Sequence, residues 1–129
     1  MGGLFMSVTI LNLSSQPQST IAPRRDAGEI VAKEHWCSSG FANTDLDLQL
    51  KKHGIQNLII IGLIAHTCVE ATVRYAAELG YEVTMVKDAT ADYSNEEMHA
   101  ALEVNIPNYA TAIVTTSEVV GSIDSVIAS

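Results

Sequence analysis

Residues 58–86 read LIIIGLIAHTCVEATVRYAAELGYEVTMV, and three patterns follow one another in them. Leu58, Ile59, Ile60 and Ile61 form an unbroken apolar run of strand length, which suits a central parallel strand covered on both faces. A turn through Gly62, Leu63, Ile64, Ala65, His66 and Thr67 leads to a helical pattern from about Cys68 to Leu79. In that helix Val69, Thr72, Val73 and Ala76 share the buried face, and Gly80 stops it. Residues 82–86 then return to strand character, and Asp88 closes that strand. A strand, a helix and a second strand in this rhythm make a right-handed crossover between parallel neighbours.

The rhythm extends outward on both sides. Upstream, Thr44 or Asp45 caps a helix running to about Lys52, with Leu46 and Leu50 on one face and Gly54 placed to end it. Downstream, Ser94 or Asn95 caps a helix to about Val104, residues 111–115 form another strand, and Ser117 starts a last helix. Residues 29–33 read as a strand, residues 4–13 as another, and residues 16–27, with Pro17 and Pro23, as a loop. The fold class that follows is α/β: three layers, helices on both faces of a mainly parallel sheet, in one domain over residues 1–129. In such sheets ligands gather at the carboxyl ends of the strands, so the loops after Ile61, Val86 and Thr115 should line the functional edge.

Composition narrows the function. The 129 residues are 47% hydrophobic and 17% charged, the balance of one packed domain. Fifteen acidic residues against seven basic ones give a formal charge of −8, which repels phosphate backbones and anionic lipid, so neither nucleic acid nor a membrane surface is an expected partner. No apolar run approaches the roughly 20 residues that a membrane-spanning helix needs. No signal-peptide pattern follows Met1, which makes a cytoplasmic address the expectation. The two cysteines, Cys37 and Cys68, lack the C-x-x-C spacing of a redox pair and read as free thiols.

Cys68 sits where a buried strand has ended, a turn has passed and a helix begins. Unpaired N–H groups and the positive dipole end of a helix favour a thiolate there, and the same N–H groups can hold an oxyanion. Position alone leaves a second reading open, in which Cys68 is a small apolar filler beneath the helix. Glu70, in the first turn, opposes thiolate formation. Lys33, taken alone, reads as a solvated surface charge.

The segment GLIAHTCVEATVR, residues 62–74, followed by Ala77, Gly80, Tyr81, Asp88 and Ala89, resembles the nucleophile segment of isochorismatase-like cysteine hydrolases. That group includes nicotinamidases, N-carbamoylsarcosine amidases and isochorismatases. The resemblance runs back through Lys33, Ser39, Gly40, Phe41, Thr44, Asp45, Leu46, Gly54 and Ile55, forward through Glu96, His99 and residues 115–118, and covers about residues 28–121. It implies Cys68 as nucleophile and Lys33 as the lysine that steadies the thiolate. It also implies an oxyanion hole from the backbone N–H groups of Ile64 and Cys68, and a cis peptide between Leu63 and Ile64. The expected reaction is hydrolysis of a small-molecule amide or related C–N bond through a thioester on Cys68, with neither cofactor nor metal.

Trp36 and Phe41 are candidates to wall an apolar substrate pocket, with core packing as their other reading. His66 and Thr67, just ahead of Cys68, are the polar candidates for touching substrate, and His66 could instead orient the turn. The four histidines show no H-x-x-x-H spacing, and the resemblance places the metal-binding histidines of nicotinamidase-like members in an N-terminal region without counterpart here.

One departure stands out. The family's catalytic Asp lies on a first strand, whereas this chain has no acidic residue before Asp26, which falls in a loop. The resemblance therefore implies a fold shortened at its front, with residues 4–13 available to replace the absent strand. It also sustains a second function class: a catalytically degenerate member that binds a small molecule or assembles into a homo-oligomer, pairing through an uncovered sheet edge.

Overall fold

The computed structural model describes residues 8–11, 32 and 38–128. Lys33, Trp36, Cys37 and the strand expected at 29–33, apart from Ala32, lie outside the described residues, as does the loop at 16–27.

The elements follow in the order β1 (Val8–Leu11), α1 (Leu46–Lys52), β2 (Asn57–Leu63), a π-helical turn (Ala65–Val69), α2 (Glu70–Glu78), β3 (Glu82–Ala91), α3 (Asn95–His99), β4 (Ala112–Val114) and α4 (Thr116–Ala128). The chain leaves α3 through a wider turn, Ala100–Asn105, and a 3-10 turn, Ile106–Asn108. The four strands form one sheet in the order β1-β2-β3-β4. β2, β3 and β4 run parallel, and β1 lies antiparallel against β2, with Thr9 opposite Ile61. A strand thus forms within residues 4–13, as expected, and covers the edge of β2.

Leu58 and Ile60 of β2, and Val83 and Met85 of β3, point into one cluster with Val69, Val73 and Ala76 of the helical segment and Leu46 and Leu50 of α1. Alternation along the strands sends Ile59 and Val86 to the other face, where they too are buried, and α4 packs against β3. This is the three-layer α/β/α arrangement that the apolar run predicts. Continuous burial of β2 explains why its sequence shows no polar alternation. Gly80, at φ 92, ends α2 in the left-handed conformation that a Cβ disfavours.

Two boundaries differ from expectation. The helix after β2 begins at Ala65 rather than at Cys68, because the turn itself winds into a π-helical form before α2. The strand expected to close at Asp88 runs to Ala91. The register explains it: Ile60 pairs with Met85 but Gly62 with Thr90, so β3 bulges through the residues between and then rejoins β2. Asp88 sits in that bulge and accepts hydrogen bonds from the Thr116 backbone N–H (2.7 Å) and hydroxyl (2.8 Å), tying β3 to the start of α4.

Candidate functional site

The turn after β2 holds Cys68 in a backbone cradle. Cys68 is 1% exposed. Its sulfur receives the Ile64 N–H at 2.8 Å and lies 2.7 Å from the Leu63 carbonyl oxygen, to which the thiol donates. The Leu63–Ile64 peptide between these two groups is cis, as the resemblance implies. Ile64 has extended dihedrals and precedes the first helical residue, and an isoleucine side chain has no oxygen with which to cap the turn.

That role falls to Asp92, just past β3. Its carboxylate accepts the His66 backbone N–H at 2.7 Å and the His66 ring Nδ1–H at 2.7 Å, and it also accepts the Tyr93 N–H at 2.8 Å. The Asp92 side chain is fully buried, while that of His66 remains 31% exposed. Burial alone would raise the Asp92 carboxyl, but the hydrogen bonds from the His66 backbone and ring and from Tyr93 outweigh it and hold the group below its ordinary value. An ionised carboxylate only accepts, so the ring proton of His66 resides on Nδ1.

Behind the turn, Thr72 locks it to the segment before α1. The Thr72 hydroxyl donates to the Cys68 carbonyl at 2.6 Å and accepts the Gly40 N–H at 3.0 Å. Ser39 accepts the Phe41 N–H at 3.1 Å, and Thr44 donates to the Gly40 carbonyl at 2.8 Å. Glu70 is buried but compensated, since Arg74 donates to it at 2.6 Å and Asn105 at 3.3 Å, while the Arg74 guanidinium lies 4.9 Å from the centre of the Tyr109 ring. A carboxylate paired in this way opposes a neighbouring thiolate less than a bare one.

Cys68, Ile64, His66 and Thr67 therefore come together on one turn at the carboxyl edge of the sheet. Phe41 does not join them: it is a core residue, 4% exposed, stacked near Tyr75 and Tyr81 with ring centres 6.3 Å and 5.7 Å away, so burial decides for its core reading. Asp92 is the residue that sequence reasoning missed. Ending the strand at Asp88 hid the fact that Asp92 opens the loop at the carboxyl edge of β3. An acid two residues before the Ser94 helix cap was the available signal.

His66, Asp92 and Glu97 each bring one metal-ligating atom within 4.8 Å of the others. Within the trio, the His66 Nδ1 is at hydrogen-bond distance from Asp92, and Glu97 accepts the Ser94 hydroxyl at 3.0 Å. A separate cavity of about 350 Å³, bordered by Lys51, Gln56 and Tyr81 among others, opens at the opposite, amino-terminal ends of β2 and β3.

Comparison with known proteins gives this geometry its context. Over residues 14–119 the sequence matches the isochorismatase domain. It is 37% identical over 83 residues to the uncharacterized isochorismatase family protein YwoC of Bacillus subtilis, covering 64% of this chain and 43% of that protein. It is 33% identical over 85 residues to the ureidoacrylate amidohydrolase RutB of Agrobacterium fabrum, covering 66% of this chain and 37% of the relative. The chain thus spans less than half the length of these curated relatives. Among solved structures, an isochorismatase-like hydrolase from Alkaliphilus metalliredigens superposes with a TM-score of 0.71 at 27% identity, over 81% of this chain and 58% of that one. The nicotinamidase PncA from Bacillus subtilis is similar at a TM-score of 0.55 and 32% identity, over 60% of this chain and 42% of the other. With the domain match running through most of the sequence and the same fold in solved members, this chain belongs to the isochorismatase family.

Proposed function

We propose that this chain is a hydrolase acting on small-molecule amides or related C–N bonds, with Cys68 as the attacking thiol. The observation that carries the reading is the cradle: the Cys68 sulfur lies 2.8 Å from the Ile64 N–H, at the start of a helical segment. A thiolate there is stabilised by that donor and by the helix terminus. Attack on the acyl carbon moves the negative charge from sulfur to the carbonyl oxygen. The Ile64 N–H, with the Cys68 N–H, then turns from sulfur to that oxyanion. The C–N bond breaks, the nitrogen takes a proton and leaves as ammonia or an amine, and water cleaves the Cys68 thioester to the acid. Lys33 is assigned to steady the thiolate, and His66 and Thr67 to border the substrate. The similarity to a ureidoacrylate amidohydrolase and to a nicotinamidase supports the same substrate class.

Cytoplasmic residence, homo-oligomeric assembly and a single domain over the whole chain belong to the same proposal. Among the described residues no helix is long and apolar enough to cross a membrane.

A second reading rests on β1. The strand that lies beside the nucleophile strand is VTIL, which contains no carboxylate to serve as proton donor. It supports a member that binds a small molecule without turning it over. The test is a panel of primary amides and ureido compounds, read by ammonia release and by ligand-induced thermal shifts, with Cys68→Ala and Lys33→Ala alongside. Turnover in the unaltered protein that disappears in both variants is the expected result. Thermal shifts without turnover in any variant would replace the hydrolase reading with the binding one.

A further inference from the structure

The first helical turn after β2 has an isoleucine at its N-cap and no side-chain hydrogen bond of its own there. Its N–H groups are nevertheless not all left to solvent. The carboxylate of Asp92, distant in sequence, reaches across from the end of β3 and accepts the His66 N–H at 2.7 Å. The same carboxylate holds the His66 ring through Nδ1 at 2.7 Å and is itself closed off, with a side-chain exposure of 0%. Tyr93 donates its N–H to Asp92 at 2.8 Å, and its ring stands edge-on to that of His66 at 6.4 Å. Two loops at the carboxyl edge of the sheet, one carrying Cys68 and one following β3, are joined through this single buried group.

We infer that Asp92 is a positioning residue for the nucleophile: by capping the turn at His66 it fixes the relation between the Ile64 N–H and the Cys68 sulfur. The inference rests on the proposed role of Cys68. Asp92 acts through His66 and the turn; it touches neither the sulfur nor the reacting atoms. Other anchors lie within the segment itself: the Thr67 and Val69 N–H groups each reach the Ile64 carbonyl at 3.2 Å, and the Thr72 hydroxyl holds the Cys68 carbonyl. Asp92 adds to them a cap at the His66 N–H from another loop. A cap supplied by another strand also links the site to the β2–β3 register, since the bulge in β3 sets where Asp92 emerges.

The test compares Asp92→Ala and Asp92→Asn with Leu50→Ala, a core variant of α1 that lowers stability without altering the His66–Asp92 cap. Two readouts are taken: amide hydrogen exchange at residues 65–69, and the rate of Cys68 alkylation by iodoacetamide across pH. Asp92→Ala should raise exchange at His66 and Thr67 and slow alkylation at neutral pH by about tenfold, the order expected for one lost cradle hydrogen bond. Asp92→Asn, whose amide oxygen still accepts the His66 N–H, should stay close to the unaltered protein in both readouts. Leu50→Ala should lower the melting temperature yet leave both unchanged. Should Asp92→Ala fail to fold, Asp92→Glu carries the test, since it keeps the charge but displaces the cap. Turn exchange in Asp92→Ala equal to that of the unaltered protein would overturn the inference, whatever Cys68 does. A Cys68 alkylated no faster than Cys37 in the unaltered protein, with exchange raised in Asp92→Ala, would instead count against the hydrolase reading and leave the cap standing.

Discussion

Cys68 is held from three sides: by the Ile64 N–H at its sulfur, by Thr72 at its carbonyl, and by Asp92 through His66. Thr72 is buried and bonded in both directions, so Thr72→Val keeps the shape but leaves the Gly40 N–H and the Cys68 carbonyl without their partner. Chemical denaturation should show a loss of about 1–3 kcal/mol, the usual cost of unsatisfied buried polar groups. Asp92 makes a pH-dependent contribution whose sign is fixed by its environment. Its carboxyl is held below the ordinary value of 3.8, so the stabilisation is complete above that value and is lost as pH falls through the folded-state pKa. Denaturation midpoints of the unaltered protein and Asp92→Asn should therefore be furthest apart near neutral pH and converge in acid. At this scale the strand-turn-helix pattern pointed to Cys68, whereas Ile64 came only from the family resemblance. Asp92 stayed hidden, because a hydrogen bond between two loops has no local signature.

The elements explain which expectations carried over. Long apolar or periodic stretches, such as β2 and α2, announce themselves because burial on both faces or along one stripe demands it. The end of β3 did not, because bulge residues such as Asp88 and the strand residues after it are ordinary polar types whose place is set by pairing with β2 and by the Thr116 contact. α3 starts at the cap its sequence suggests: the Ser94 hydroxyl accepts the Glu97 N–H at 3.2 Å and donates to the Glu97 carboxylate at 3.0 Å. Ser94→Ala should lower stability by about 1 kcal/mol in thermal or chemical unfolding, with activity in any amide assay changed little. Inside the sheet, Ile60 is fully buried, and Ile60→Ala should cost about 2–5 kcal/mol through lost burial and the cavity that remains. A loss below 1 kcal/mol in that variant would contradict the central place given to β2.

Across the whole molecule, a parallel sheet puts the ends of β2, β3 and β4 at one edge, and the cradle, the His66–Asp92 pair and the Asp88–Thr116 link all gather there. The opposite edge has a cavity with none of these groups. The three-layer architecture was legible because βα alternation leaves few ways to cover both faces of a sheet. The antiparallel direction of β1 was not, since a short strand bears no mark of which way it will pair. The measurement that bears most directly on the account is the alkylation rate of Cys68 against pH, resolved by peptide mapping with Cys37 followed in the same sample. A Cys68 that is alkylated faster than Cys37 around neutral pH is the predicted result, because the Ile64 N–H and the helix start favour a thiolate. A Cys68 that reacts no faster than Cys37, or resists alkylation at every pH, would contradict its assignment as the nucleophile.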